Sequence, residues 1–145
     1  MAERRYPLKR RVFLDSSVLF TAVNSPSGGS AKLFTLKEYE LVTSPTVLTE
    51  VERNVEKKLL SYHIERFLIL VQKITILTQK PKLDLIKKAH KVIVSKDAVI
   101  LSEAKQSKVP YIATLDRKHF FTDSVKRFLR SQTVVTPKML LEKIK

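Results

Sequence analysis

The chain lacks several features that mark whole classes of protein. It has no cysteine, which excludes disulfides, thiolate zinc sites and cysteine nucleophiles. It has no hydrophobic run near the roughly 20 residues that a membrane-spanning helix needs. No such run follows the basic N-terminus Met1–Arg5 either, as it would in a signal peptide. We therefore expect an intracellular, cytoplasmic protein with no membrane attachment.

Two further absences exclude particular kinds of binding site. Both glycines of the chain fall in the loop 24–30, which has neither P-loop nor dinucleotide-binding spacing. The three histidines, His63, His90 and His119, are not spaced as in histidine metal motifs. The sequence therefore predicts neither nucleotide binding nor a histidine metal site.

Acidic residues are scarce relative to basic ones. The chain has 28 Lys and Arg against 14 Asp and Glu, which gives a formal net charge of +14. Such a charge favours a polyanionic partner, namely RNA, DNA or an acidic protein. The alternative is a lysine-rich surface that serves solubility or, as in thermophiles, stability. With 145 residues, of which 43% are hydrophobic, the chain is long and apolar enough for one domain with a real core.

The order of the predicted elements indicates an α/β fold. We expect a basic lead-in over residues 1–10 and a single domain over residues 11–145. Short apolar and β-branched runs predict strands, and amphipathic stretches between them predict helices. The predicted strands are Val12–Leu14, Glu40–Ser44, Ile74–Leu77, Tyr111–Leu115 and an edge strand Thr133–Thr136. Because strands that alternate with helices pair in parallel, the sheet should be mainly parallel.

Serine residues mark the predicted starts of several helices. Ser16 or Ser17, Ser30, Ser44 and Ser95 are the predicted capping residues. The predicted helices are 17–23, 31–37, 45–60, 62–73, 83–94, 95–104, 123–130 and one that Pro137 starts. The strongly apolar helix 62–73 is predicted to lie in the core or to form one face of a dimer.

Two predicted strands run directly into an aspartate. Asp15 follows Val12–Leu14, and Asp116 follows Tyr111–Leu115. The carboxyl ends of parallel strands meet at one edge of a sheet, where open α/β sheets form their binding crevice. We therefore expect Asp15 and Asp116 to emerge at the same edge. The alternative for Asp15 alone is a turn residue or a helix cap.

A third acid, Asp97, begins the face of a helix that should be buried. Asp97, Ile100, Leu101 and Ala104 stand at positions i, i+3, i+4 and i+7. A buried acid is costly unless it is protonated, paired or bound to a metal. The alternative is a helix-start aspartate favoured by the macrodipole, which explains its place along the helix but not its face.

A fourth acid, Glu50, lies at the edge of the apolar stripe of the helix 45–60, three residues after Val47. Its alternative is a surface acid paired with Arg53 or Asn54. Two of the four acids follow strands and two lie on helices, so all four can meet in one crevice.

Four neighbouring carboxylates repel one another strongly unless cations neutralise them. Ligands that are all oxygen select hard ions, Mg²⁺ or Mn²⁺. Such ions bind phosphate oxygens, activate water and stabilise the leaving oxygen. An acidic metal cleft in a strongly basic protein is what phosphodiester cleavage requires.

The sequence resembles the PIN-domain ribonucleases over about Val12 to Pro137. The stretches that carry the resemblance are Val12–Leu19, Leu48–Val51, Lys96–Leu101 with Ala104, and Ala113–Phe120. Each is weak alone, but four in this order are specific. The resemblance implies a three-layer α/β/α sandwich and cleavage of RNA that depends on Mg²⁺ or Mn²⁺.

The resemblance also implies roles for individual residues and partners. Asp15, Glu50, Asp97 and Asp116 would supply the metal site, Ser17 would support the first aspartate, and Thr114 matches a hydroxyl position beside the fourth acid. Many family members form homodimers, and many are VapC-type toxins held by an antitoxin, whereas others process ribosomal RNA. The chain departs from the family pattern just after the fourth acid, where Lys118 and His119 replace a further acid that some members have.

The four acids and the neighbouring basic residues predict a mechanism of cleavage. Asp15, Asp97 and Asp116 would hold one metal ion, and Glu50 would bind a second ion or position the attacking water. Lys96, Arg117 and Lys118 flank the predicted cleft and would hold neighbouring phosphates.

The rival is a non-catalytic, basic RNA-binding or scaffolding module with the same fold. An Asp-x-Asp phosphatase is excluded because Ser17 stands where the second aspartate is needed.

Overall fold

The structure, a computed structural model, describes residues 9–144, so most of the predicted lead-in over residues 1–10 lies outside the described residues. The strands are β1 (Arg10–Leu14), β2 (Tyr39–Thr43), β3 (Thr75–Ile76), β4 (Tyr111–Ala113) and β5 (Thr133–Val135). The longer helices are α1 (Ser16–Asn24), α3 (Pro45–Lys58), α4 (Tyr62–Val71), α5 (Leu83–His90) and α6 (Ser95–Ser107). The shorter helices are α2 (Gly29–Leu33), α7 (Arg117–Phe120), α8 (Asp123–Leu129) and α9 (Pro137–Lys143).

The strands form one sheet in the order β3-β2-β1-β4-β5, and every neighbouring pair is parallel. Helices flank the sheet, so the predicted three-layer α/β/α fold with a parallel sheet is confirmed, as is the edge position of β5. The strand order reverses between β1 and β4. In open parallel sheets this reversal opens a crevice at the carboxyl ends of the two strands.

The central strand β1 is buried because both of its faces are covered. Val12, Phe13 and Leu14 are all fully buried. Phe13 lies opposite Val42 of β2 on one side and Ile112 of β4 on the other. A continuous apolar run is typical of a parallel strand in this position, since neither face meets water.

The helix starts agree only in part with the predicted caps. The Ser44 side chain accepts a hydrogen bond from the Val47 amide at 3.2 Å, which confirms that cap. The predictions of Ser16 or Ser17, Ser30 and Ser95 as caps were wrong, because each lies inside its helix. Asp15, Gly28 and Val94 hold those capping positions, none with a capping side-chain hydrogen bond.

Several helices are shorter than predicted. α2 ends at Leu33 rather than residue 37, and α5 ends at His90 rather than residue 94. In α5 the Lys91 amide donates to the Ala89 and Lys88 carbonyls, so the last turn tightens and closes the helix. Val94 then takes an extended conformation before α6, which separates the two helices.

Helix α4 is apolar on more than its buried side. Its buried residues are His63, Phe67 and Leu70. Tyr62, Leu68 and Ile69 of the same helix are more than half exposed, as is the preceding Leu60. The helix therefore contributes to the core and also presents an apolar surface. Within residues 9–144, no helix has the length and hydrophobicity that crossing a bilayer requires.

Candidate metal centre

The first acid lies at the end of the central strand. Asp15 directly follows β1, and the residue is only 3% exposed. Its Oδ2 accepts hydrogen bonds from the hydroxyls of Ser17 and Thr114, both at 2.8 Å. Its Oδ1 is buried and has no hydrogen-bond partner. Burial raises the pKa of the Asp15 carboxyl above its ordinary value of 3.8 although the two hydroxyls act to lower it.

The hydroxyls of Ser17 and Thr114 connect the ends of β1 and β4 through hydrogen bonds. Ser17 Oγ also accepts from the Leu115 amide at 3.0 Å, and Thr114 Oγ1 accepts from the Asp116 amide at 3.1 Å. Each hydroxyl therefore donates to the first acid, and the two accept from the amides of the fourth acid and of the residue before it. This arrangement fixes the relative position of the loops that carry Asp15 and Asp116.

The third acid, Asp97, lies in the first turn of α6. The predicted buried face of this helix is confirmed, and Asp97 itself is 7% exposed. Its Oδ2 is buried without a hydrogen-bond partner. Burial first, and then the negative charges of Asp15, Asp116 and Glu50, raise the pKa of Asp97 from 3.8 to about 6, against the opposing charge of Lys96. The carboxylates of Asp15, Asp116 and Glu50 therefore lie near enough to Asp97 for their charges to act on its pKa.

Glu50 approaches the same crevice from α3. It is partly buried, and its Oε2 is enclosed without a hydrogen-bond partner. Among residues 9–144 no salt bridge is formed by Glu50, so the surface pairing with Arg53 is not observed. Glu50, Arg53 and Lys96 instead line one cleft, together with Pro45, Thr46, Thr49 and Ile100.

The fourth acid, Asp116, is engaged by His119. Asp116 caps α7, its Oδ1 accepting from the His119 amide at 3.1 Å. Its Oδ2 lies 2.8 Å from the His119 ring Nδ1. Partial burial acts to raise the pKa of Asp116, but the His119 hydrogen bonds and the charges of His119 and Lys96 outweigh it and hold this pKa below 3.8.

These acids fit a divalent cation. Three elements deliver a buried carboxylate oxygen without a partner, on Asp15, Glu50 and Asp97. A buried carboxylate without a partner is strongly unfavourable, and a cation is the partner that would compensate several of them together. All-oxygen ligands of this kind suit Mg²⁺ or Mn²⁺.

Of the predicted basic residues, Lys96 lies beside the acids, and Arg117 and Lys118 directly follow Asp116 in the chain. Lys96, Arg117 and Lys118 are all exposed. The Arg117 guanidinium lies 5.4 Å from the centre of the Phe121 ring, a cation–π contact that orients it. Lys96 precedes Asp97 and acts on the pKa of both Asp97 and Asp116, which places its charge beside the acids.

Sequence reasoning missed three residues of this region. His119 was set aside because the histidines lack motif spacing, yet its ring contacts Asp116. Arg53 was considered only as a partner for Glu50, although its spacing of three residues from Glu50 already places both on one helix face. Glu103 gave no signal at all, because its partners come from another helix.

Glu103 joins α6 to α3. It is 8% exposed and accepts hydrogen bonds from Ser44 Oγ at 2.8 Å and Thr46 Oγ1 at 2.9 Å. Burial raises the pKa of Glu103 although both hydroxyls act to lower it. The contact holds the start of the Glu50 helix against the Asp97 helix.

The fold and the site define a class: parallel α/β proteins with a buried acidic centre where the strand order reverses. The sequence model of the PIN domain family matches residues 12–124. The chain therefore belongs to the PIN domain family. Comparison with curated protein sequences finds no match.

Three solved structures share this fold at low sequence identity. VapBC2 from Rickettsia felis, bound to a DNA fragment from its promoter, has a TM-score of 0.67 at 18% identity and covers 87% of this chain and 98% of that one. DNA-bound VapBC from Salmonella typhimurium has a TM-score of 0.64 at 14% identity, covering 88% and 98%. VapC20 from Mycobacterium tuberculosis, described as a toxin that cleaves the sarcin–ricin loop, has a TM-score of 0.53 at 13% identity, covering 74% and 91%.

Proposed function

We propose that this chain is a metal-dependent endoribonuclease, with residues 11–145 as its nuclease domain. Its metal-binding acids would be Asp15, Glu50, Asp97 and Asp116. One observation carries the proposal: buried carboxylate oxygens of Asp15, Glu50 and Asp97 have no hydrogen-bond partner. Burying unpartnered carboxylates without a cation is unfavourable, which supports a site that holds one.

The residues of the centre would have separate roles in phosphodiester cleavage. Asp15, Asp97 and Asp116 would hold a Mg²⁺ or Mn²⁺ ion, and Glu50 would hold a second ion or orient the attacking water. A bound ion supplies Lewis acidity toward the phosphate and lowers the pKa of the attacking water. Ser17 and Thr114 hold the Asp15 carboxylate in one orientation, which preorganises the site.

Basic residues would bind the RNA backbone on either side of the acids. Lys96, Arg117 and Lys118 are exposed and adjoin Asp97 or Asp116 in the chain, and Arg53 shares a cleft with Glu50 and Lys96. The net charge of +14 supports a polyanionic substrate. The described action of VapC20 on the sarcin–ricin loop supports RNA over DNA.

The physiological role we favour is that of the toxin in a toxin–antitoxin pair. The VapBC structures support a protein partner for this fold. The exposed apolar residues of α4, Tyr62, Leu68 and Ile69, offer a surface for such a partner or for a second copy of the chain. A nuclease that processes ribosomal or transfer RNA is the alternative role. A small upstream gene whose product binds this chain and suppresses cleavage would support the toxin.

A non-catalytic RNA-binding or scaffolding module remains the alternative function. Its basic surface would be the same, but it would have no use for unpartnered buried acids. The test is to incubate the protein with mixed RNA in Mg²⁺, in Mn²⁺ and in EDTA. We expect fragments with a metal and none with EDTA.

Two variants make the test specific. Asp97→Asn should abolish cleavage and retain RNA binding, because it removes a buried charge without changing the shape of the side chain. Asp84→Asn is the matched control, since Asp84 is a highly exposed acid that pairs with Lys88 on α5. Fragments from Asp97→Asn, or fragments in EDTA, would contradict the proposed mechanism. No fragments from many RNAs would favour the non-catalytic module.

A further inference from the structure

His119 lies where a metal ligand would be useful. It belongs to α7, one turn after Asp116, and its side chain is 28% exposed. Its side chain is therefore partly buried and partly accessible. The ring Nδ1 lies 2.8 Å from Asp116 Oδ2.

A ring nitrogen of His119 also lies near a carboxylate oxygen of Asp97. One ligand atom each from Asp97, Asp116 and His119 lie within 4.8 Å of one another. Ligands on opposite sides of an ion lie about 4.2 Å apart when each bond is about 2.1 Å long. The three atoms are thus close enough to share one ion after a small adjustment. Asp97 contributes a second, independent sign of a ligand, because its buried Oδ2 has no partner.

Holding Asp116 in place does not require the imidazole. The His119 amide already donates to Asp116 Oδ1 at 3.1 Å, and the Asp116 amide is bound by Thr114. The ring is therefore an addition to a carboxylate that the backbone already orients. Its position beside two acids provides a nitrogen in an otherwise all-oxygen set.

We propose that His119 donates an imidazole nitrogen to the metal centre and thereby shifts its preference from Mg²⁺ toward Mn²⁺. The inference rests on the metal centre of the proposed function. Mg²⁺ favours oxygen ligands, whereas imidazole binds transition-metal ions more readily.

The test measures the ion directly rather than cleavage. Mn²⁺ bound to the wild-type protein is examined by electron spin-echo spectroscopy for coupling to a nitrogen nucleus. Labelling the histidine rings with ¹⁵N should change that coupling, and His119→Asn should remove it. His90→Asn, on an exposed histidine of α5, is the matched control and should leave it unchanged.

Calorimetry of Mg²⁺ and Mn²⁺ binding provides the second measurement. His119→Asp supplies an oxygen in place of the nitrogen. We expect the preference for Mn²⁺ over Mg²⁺ to fall by about tenfold in this variant. His90→Asn should retain the wild-type preference.

The outcomes separate this inference from the proposed function. Absence of any Mn²⁺ or Mg²⁺ binding to the wild-type protein would contradict the metal centre itself. Binding without nitrogen coupling would overturn the role of His119 as a ligand while leaving the nuclease intact. So would equal losses of Mg²⁺ and Mn²⁺ affinity in His119→Asp, which would mark His119 as a residue that only positions Asp116.

Discussion

The hydroxyl of Thr114 donates a hydrogen bond to Asp15 Oδ2 at 2.8 Å, across two neighbouring strands of the sheet. The hydroxyl oxygen of Thr114 also accepts a hydrogen bond from the Asp116 amide at 3.1 Å. One side chain therefore joins the acid that follows β1 to the acid that follows β4. The proposed centre depends on this connection as much as on the acids themselves.

Replacing this hydroxyl should harm both stability and cleavage. Thr114→Val keeps the shape of the side chain but removes the donor to Asp15 and the acceptor for the Asp116 amide. We expect the free energy of unfolding to fall by about 1–2 kcal/mol, because a buried polar group loses its partner. Cleavage should fall by at least about tenfold, as for other residues that orient metal ligands. Chemical denaturation and an RNA cleavage assay measure the two effects.

Thr114→Ser is the control for that substitution, because it keeps the hydroxyl and removes only a methyl group. It should retain most of the activity. Equal losses in the valine and serine variants would show that packing around residue 114 matters more than its hydrogen bonds.

Asp97 and Asp116 should affect stability in opposite directions without metal. The pKa of Asp97 is raised to about 6, so folding favours its protonated form, whereas the pKa of Asp116 is lowered, so folding favours its charged form. In EDTA at pH 7.5, Asp97→Asn should therefore raise the free energy of unfolding, by roughly 1–3 kcal/mol. Asp116→Asn should lower it.

The pH dependence of these differences follows from the same shifts. The stability that wild-type Asp97 contributes is complete below about pH 4 and is lost as the pH rises through about 6. The advantage of Asp97→Asn should therefore shrink as the pH falls from 7.5 toward 4. The contribution of Asp116 is present above pH 4 and is lost only at lower pH. Urea denaturation at several pH values measures both, and a pH-independent advantage of Asp97→Asn would contradict the assignment.

The placement of three acids was predictable because it depends on local patterns. An apolar strand that runs into an aspartate, found twice in a parallel α/β chain, is enough to place Asp15 and Asp116 at one edge. The helical period is enough to bury Asp97. Each inference needs only the side-chain periodicity of one helix or the parallel direction of neighbouring strands.

The remaining features depend on how separate elements pack. Glu50 sits at the edge of its apolar stripe, and only the approach of other elements encloses its Oε2. Glu103 accepts hydrogen bonds from Ser44 and Thr46, 59 and 57 residues away, a contact that no local pattern encodes. The capping prediction for Ser95 missed by one position, since Val94 holds the capping position and Ser95 is the first residue of the helix.

Adding metal should stabilise the folded protein through the acids. A ligand that binds only the folded state stabilises it by about 2.7 kcal/mol at 100 times its dissociation constant. We expect Mn²⁺ to raise the melting temperature of the wild-type protein and to have little effect on Asp15→Asn, and EDTA should reverse the shift. Asp84→Asn should respond as the wild type does. An equal rise in Asp15→Asn would locate Mn²⁺ binding elsewhere.

Lys96 should contribute to RNA binding through its charge alone. Lys96 is exposed beside Asp97 and lines the cleft with Glu50, so Lys96→Ala removes one phosphate-binding charge without disturbing the core. The affinity for single-stranded RNA should fall, and the slope of log affinity against log salt should decrease by about 0.7. Lys73→Ala is the control. Lys73 is exposed and precedes β3, so it lies at the amino-terminal end of the parallel strands, whereas Asp15 and Asp116 follow the carboxyl ends. Fluorescence anisotropy at several salt concentrations measures both variants. If the two variants lose affinity equally, RNA binds the basic surface as a whole rather than the cleft beside the acids.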